Sequence, residues 1–214
     1  AGIVFIAGCK KDDTTAPAVS LKGSSSMSVS LQSATTDPGD TANDDEDGDI
    51  SSSVTSDWST KVNVNLKGTV TVTYSVSDAA GNTGTATRTV IVVNDADYLA
   101  GTYATKDSVY NPLPPYISNY SETITASSTI NNRIWVTRFG NYDNGAVYID
   151  RVSSTQITLV NQTVTCGTPA NARIFGNTFP SGGTISGITI TLDYKETVIS
   201  PASTAYAVSK WVKQ

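Results

Sequence analysis

The chain has 214 residues, of which 15% are charged, with a net charge of −5 and no histidine. That absence removes the Ser-His-Asp triad, the Cys-His pair and every histidine metal ligand. The acidity is local: residues 14–95 hold ten acids and four bases, residues 96–214 hold seven and eight. Neither half carries the basic stripe needed to neutralise phosphates, so nucleic acid is not an expected partner.

Ser, Thr, Val and Ile dominate while Leu, Glu and Lys are sparse, which is strand-forming composition, and the length suits one or two domains. The fold class expected is all-β. In chain order, the apolar run Ile3-Val4-Phe5-Ile6 is too short to span a bilayer, which takes ~20 residues. It runs into Ala7-Gly8-Cys9, followed by the polar Lys10-Lys11-Asp12-Asp13. This resembles a bacterial lipobox, which implies cleavage before Cys9 and lipidation of its thiol and amine. Several acyl chains at ~0.8 kcal/mol per buried CH₂ give durable anchoring. Residues 1–8 then read as residual leader and 9–16 as a lipid-anchored linker. Lys10 to Asp13 resembles the signal that carries some glycan-foraging bacteria's lipoproteins to the outside of the outer membrane. The alternative for Cys9 is a thiol paired with Cys166, the one other cysteine.

From Pro17 to residue 95 the pattern is a compact β-domain. Val70, Val72, Tyr74 and Val76 alternate with Thr69, Thr71, Thr73 and Ser75, which puts one face in a core and one in water. Asp78-Ala79-Ala80-Gly81-Asn82 is turn chemistry, and Gly84 to Val93 is the return strand of a hairpin. Shorter candidates are Ala18–Leu21, Met27–Leu31, Ile50–Thr55 and Lys61–Leu66. Six or seven short strands separated by turns argue a β-sandwich. The runs Asp13-Thr14-Thr15-Ala16-Pro17, Asp37-Pro38-Gly39, Asp44 to Ile50 and Gly68 to Asn82 resemble an immunoglobulin-like module of bacterial surface proteins. That family implies a spacer or adhesion module without attached enzymatic activity. Tyr74 sits where a tyrosine corner would turn its hydroxyl onto nearby backbone; an ordinary half-buried tyrosine is the alternative.

Residues 96–214 start a second period-2 pattern after the polar joint Asn94 to Asp97. Candidate strands are Gly101–Tyr110, Tyr120–Ser127, Arg133–Phe139, Ala146–Val152, Gln156–Val160, Ala172–Phe175, Ile185–Tyr194 and Ala205–Val212, with turn signals between them. Eight or so such strands favour an antiparallel meander closed into a barrel, because closure removes exposed edges; a second sandwich is the alternative. Leu99 to Tyr103, Gly183 to Ile190 and Leu192-Asp193-Tyr194 resemble a C-terminal domain that accompanies the immunoglobulin-like module in uncharacterised lipoproteins. Gly101-Thr102-Tyr103 is also similar to the Gly-x-Trp opening of lipocalin-like barrels, departing from it by its tyrosine.

Two constellations carry candidate chemistry. Five carboxylates crowd into Asp44–Asp49, and Asp45, Asp47 and Asp49 have the alternate spacing of a calcium loop, with Asp40 or Asp78 to close the shell. Gly48 precedes the third acid instead of following it, and no bidentate glutamate follows, so a solvated acidic loop is the plainer reading. Aromatics form the second: Trp135, Tyr142 and Tyr148 lie in or beside one hairpin, and Tyr116 flanks a proline-rich loop. Flat rings with polar edges suit stacking on sugars, but each is also a natural core residue. Because Trp135 alternates with Ile134 and Val136, one of those faces is core, and the pattern does not say which. The second half has seven acids, Asp97, Asp107, Glu122, Asp143, Asp150, Asp193 and Glu196, none in a motif that activates a nucleophile. Cys166 lacks a histidine and reads as a buried small hydrophobe. The expectation is therefore a non-enzymatic surface protein without a resident cofactor, calcium apart. It would be anchored in the membrane by lipid and bind an extracellular glycan, or serve as a spacer or accessory subunit contacting a surface protein.

Overall fold

The computed structural model describes residues 12–111, 114–178 and 182–214; Cys9 and the leader lie outside them. The chain divides into two compact units. Of the described residues, one takes 12–29, 33–64 and 68–92, the other 30–32, 65–67 and those from 93 onward.

The first unit is a sandwich. Strands β1 (Ala18–Leu21), β3 (Asp40–Asp44) and β4 (Gly48–Asp49) make one sheet. Strands β2 (Ser26–Ser30), β5 (Thr55–Ser56), β6 (Gly68–Ser77) and β7 (Thr83–Val93) make the other, ordered β2-β7-β6-β5. The alternation in β6 is real: Val72, Tyr74 and Val76 are buried and the threonines face water. Val29, Val72, Tyr74 and Val90 form its core, with Val19, Leu21 and Met27 packed on them. Two of the expected strands fail. Ile50–Thr55 holds a 3-10 turn at Ser51–Ser53, and Lys61–Leu66 follows a single helical turn, α1 (Trp58–Lys61). β3, sequence Asp-Thr-Ala-Asn-Asp, escapes a propensity reading because all its residues but Thr41 are poor strand formers; pairing with β1 holds it in place.

Tyr74 departs from the tyrosine-corner expectation. It is fully buried, and its hydroxyl donates to Asp37 Oδ1 (2.7 Å) and accepts from Arg88 Nε (3.1 Å). The Arg88 guanidinium, also buried, donates to the carbonyls of Lys22 (2.8 Å), Gly39 (3.1 Å) and Ser24. A buried cation is tolerated there because backbone oxygens and a phenol meet its N–H groups.

The second unit is a closed barrel, so the barrel expectation holds over the second sandwich. It begins with β8 (Gly101–Asn111), β9 (Tyr116–Ala126), β10 (Arg133–Val136), β11 (Val147–Arg151) and β12 (Gln156–Thr158), neighbours in that order. The chain then leaves the ring for a hairpin, β13 (Gln162–Cys166) and β14 (Asn171–Asn177). It re-enters with β15 (Gly183–Ser186), which pairs with β12, and continues through β16 (Thr189–Val198) and β17 (Ser203–Lys213). β17 pairs with both β16 and β8, closing eight antiparallel strands. The order is therefore an interrupted meander. The single expected strand Ile185–Tyr194 is two strands: Ser186 faces Thr189 across the two-residue turn Gly187-Ile188, and Gly187 has φ +56°, which its lack of a Cβ permits.

The barrel is filled. Trp211, Phe139, Phe175 and Tyr194 are buried together, with ring centroids 4.6 Å apart for Phe139–Tyr194, 5.2 Å for Phe139–Phe175 and 5.9 Å for Phe139–Trp211. Tyr103 donates to the Leu99 carbonyl (2.7 Å), and burial pushes its pKa up to about 12. Asn94, at the polar joint, is buried. Its Nδ2 donates to the carbonyls of Ser127, Ile130 and Arg133, and its Oδ1 accepts from the Ala96 and Asn132 amides. Among the described residues no helix is long and apolar enough to cross a membrane.

Candidate ligand pocket of the barrel

Inward-facing positions follow the pleat of each strand, and on three strands the inward set includes an acid. On β8 the buried series is Tyr103, Thr105, Asp107 and Val109; on β9 it includes Glu122 and Ile124; on β16 it is Ile190, Leu192, Tyr194 and Glu196. A carboxylate in the apolar phase of a strand must find donors, and each does. Glu122 is consumed structurally: Oε1 accepts from the amides of Thr123, Thr137 and Arg138 and from the Thr137 hydroxyl.

Asp107 and Glu196 instead border a pocket of about 200 Å³ whose lining also includes Tyr116, Ser118, Asn141 and Tyr142. Asp107 accepts from the hydroxyls of Tyr120 (2.8 Å) and Ser209, and burial raises its pKa against the lowering effect of those bonds. Glu196 accepts from the Tyr142 hydroxyl (2.9 and 3.1 Å) and forms an ion pair with Arg173, whose guanidinium carbon lies 4.2 Å from the Tyr142 ring centre. Burial, followed by the Glu196 charge, raises the Tyr142 pKa; burial does the same to Tyr194 at the pocket wall. Gly140 makes room for these rings: its φ is +67°, and a Cβ there would lie 3.0 Å from the Tyr142 ring. Cys166 is a buried free thiol whose pKa burial raises.

The four aromatic candidates separate into two pairs. Tyr116 and Tyr142 line the pocket, with the Tyr116 residue 55% exposed. Trp135 and Tyr148 face each other across β10 and β11 on the outer wall, since Ile134 and Val136 take the core side. Their rings pack edge to face at 5.7 Å, and Arg133 caps Tyr148 with its guanidinium carbon 3.7 Å from the ring centre. Asp107, Glu196 and Arg173 were missed as pocket groups. An acid in phase with Tyr103 and Val109, and another in phase with Leu192 and Tyr194, was the available signal.

The acidic loop of the sandwich also differs from its expected arrangement. Asp49 accepts from the Ser51 amide and hydroxyl, which lowers its pKa, and Asp47 accepts from the Ala79 amide (2.6 Å). Asp78 is bonded to Asn82 through both oxygens. Among the described residues, the carboxylates that converge are Asp13, Asp44 and Asp45, not Asp45, Asp47 and Asp49. Asp44 pairs with Gly48 in the β3–β4 hairpin, and the later acids Asp47 and Asp49 accept hydrogen bonds from Ala79 and Ser51.

Fold and pocket together define a two-unit, all-β protein: an immunoglobulin-like sandwich and a closed eight-stranded barrel with a small polar, aromatic-edged pocket. Residues 19–92 match the family model described as bacterial surface protein, Ig-like domain. No curated protein matches the chain. Among solved structures, the lipoprotein BT2262 from Bacteroides thetaiotaomicron is similar over 92% of this chain and 100% of its own, at 16% identity and a TM-score of 0.37. The CBM51-2 and INT domains of Clostridium perfringens ZmpB, solved with GlcNAc, align with 92% of this chain and 44% of theirs, at 18% identity and a TM-score of 0.28. A protein of unknown function from Bacteroides ovatus covers 71% of this chain and 59% of its own, at 12% identity and a TM-score of 0.25.

Proposed function

We propose that this is a non-enzymatic surface protein, held at the exterior of an outer membrane by lipid on Cys9, whose barrel binds a glycan in the Tyr116 pocket. The observation that carries the reading is the pocket itself: an exposed tyrosine ring beside two carboxylates, a serine and an asparagine. Ring faces of a sugar stack on an aromatic, while its hydroxyls donate to carboxylate lone pairs that Ser209, Tyr120, Tyr142 and Arg173 leave free. The size favours one sugar residue, because the pocket is smaller than the ~300–1,000 Å³ of sites that take drug-sized ligands. Asp107 and Glu196 are held by neighbours, which suits fixed acceptors better than groups that shuttle a proton.

The full chain should be screened by calorimetry against a panel of polysaccharides and their oligosaccharides. Expected is binding that Tyr116→Ala weakens at least ~10-fold, the loss of one well-placed contact of ~1.4 kcal/mol, while Trp135→Ala leaves it intact. No binding to any member of the panel, or loss on Trp135→Ala with Tyr116→Ala neutral, overturns the pocket reading. The first of these outcomes favours the accessory-subunit reading; the second moves glycan binding to the outer-wall pair of Trp135 and Tyr148. Mass spectrometry of the membrane-extracted protein tests the anchor: an unmodified Cys9 removes it.

A further inference from the structure

The sandwich holds a feature that glycan binding does not use. Asp44 is 3% exposed, and its two oxygens have different fates. Oδ1 accepts from the Glu46 and Asp47 amides, both at 3.0 Å, and so fixes the β3–β4 turn. Oδ2 is buried with no hydrogen-bond partner. Two more acids converge on the same residue: one carboxylate oxygen from each of Asp13, Asp44 and Asp45 lies within 4.8 Å of the others. The Asp13 backbone is itself held in place, because Asn82 Nδ2 donates to its carbonyl (3.3 Å).

An unpartnered buried carboxylate oxygen is costly, and two further carboxylates beside it add repulsion, unless a cation sits among them. From these observations we infer that Asp13, Asp44 and Asp45 form a Ca²⁺ site. Calcium takes oxygen ligands at ~2.3–2.6 Å, so two oxygens on one ion stand no more than about 5 Å apart, and the three here, all within 4.8 Å of one another, meet that limit. Magnesium demands a near-ideal octahedron and dehydrates reluctantly, whereas calcium accepts an irregular set of carboxylates from two separate segments. Six to eight ligands are needed, so water completes the shell around three protein oxygens. The affinity expected is that of an open extracellular site, ~10⁻⁴–10⁻³ M. The ion would tie the segment before β1 to the β3–β4 turn. It involves none of the residues proposed to bind glycan.

The test is calorimetric titration of the chelator-treated full chain with CaCl₂, alongside thermal melting. One Ca²⁺ per chain should bind, and saturation should raise the melting temperature by about 5 °C. Asp45→Asn should weaken binding at least ~10-fold while leaving the metal-free melting temperature at or above the parent's, since the turn runs through Asp44 and one repelling charge is gone; the loss corresponds to one carboxylate ligand. Asp13→Asn provides a second variant that leaves Asp44 intact. Asp49→Asn should bind as the parent does. Absence of binding at 10 mM Ca²⁺ (roughly ten times the weakest expected constant), parent-like binding by Asp45→Asn and Asp13→Asn, or equal loss in Asp49→Asn would each overturn the site.

Discussion

At the scale of single residues, the barrel's inward acids are sorted by what donates to them. Asp107 has two hydroxyl donors and no cation, so burial dominates and its folded pKa lies above the ~3.9 of an unfolded aspartate. Folding therefore favours the protonated form. The stability this contributes is full below pH ~3.9 and lost as pH rises through the raised folded value. Asparagine mimics the protonated acid. Asp107→Asn should melt close to the parent at pH 4 and progressively above it toward pH 8; a difference that stays flat across that range would contradict the assignment. Glu196 is the contrasting case, because Arg173 supplies the opposite charge within the same wall. Removing either partner alone would leave a buried charge stranded, whereas the pair together is close to neutral in stability.

Elements are decided by partners beyond their own sequence. β6 needs no help, since its valines and threonines alternate over ten residues and the structure buries one phase. β3 was not among the expected strands and owes its state to pairing with β1; β13 was not among them either, although Thr163-Val164-Thr165 carries strand propensity, and it pairs with β14. The 127–133 turn is held likewise from outside. Asn94 meets three of its carbonyls with one amide group. Deleting that side chain in Asn94→Ala takes a donor from the Ser127 and Ile130 carbonyls, the Arg133 carbonyl keeping the Ser127 amide, and at on the order of 1 kcal/mol each urea unfolding of the barrel should lose about 2 kcal/mol. A change under ~0.5 kcal/mol, the scatter of ordinary surface substitutions, would mean that water replaces the amide.

For the whole molecule, closure is the decisive event. β17 joins β8 to β16, and Trp211 on that strand packs its ring against Phe139 in the barrel centre. Trp211→Ala should cost ~3–5 kcal/mol by chemical denaturation and dim the near-ultraviolet signal of the aromatic cluster. A loss under ~1 kcal/mol would show that the seam does not depend on that packing. The amino-acid sequence by itself determined the all-β class, the sandwich followed by a second antiparallel β-domain, the β6–β7 hairpin and the burial of Cys166, because strand period and turn chemistry are local properties of neighbouring residues, whereas closure of that domain into a barrel was settled by the pairing of β17 with β8 and β16. Only the tertiary structure decided which face of β10 is core, that Tyr116 and Tyr142 part company with Trp135 and Tyr148, that Asp107 and Glu196 share a pocket, and that Asp13 joins Asp44. Those outcomes depend on pairings between residues far apart in the chain, set by barrel closure and strand register, and a period-2 pattern is the same whichever way the sheet curls.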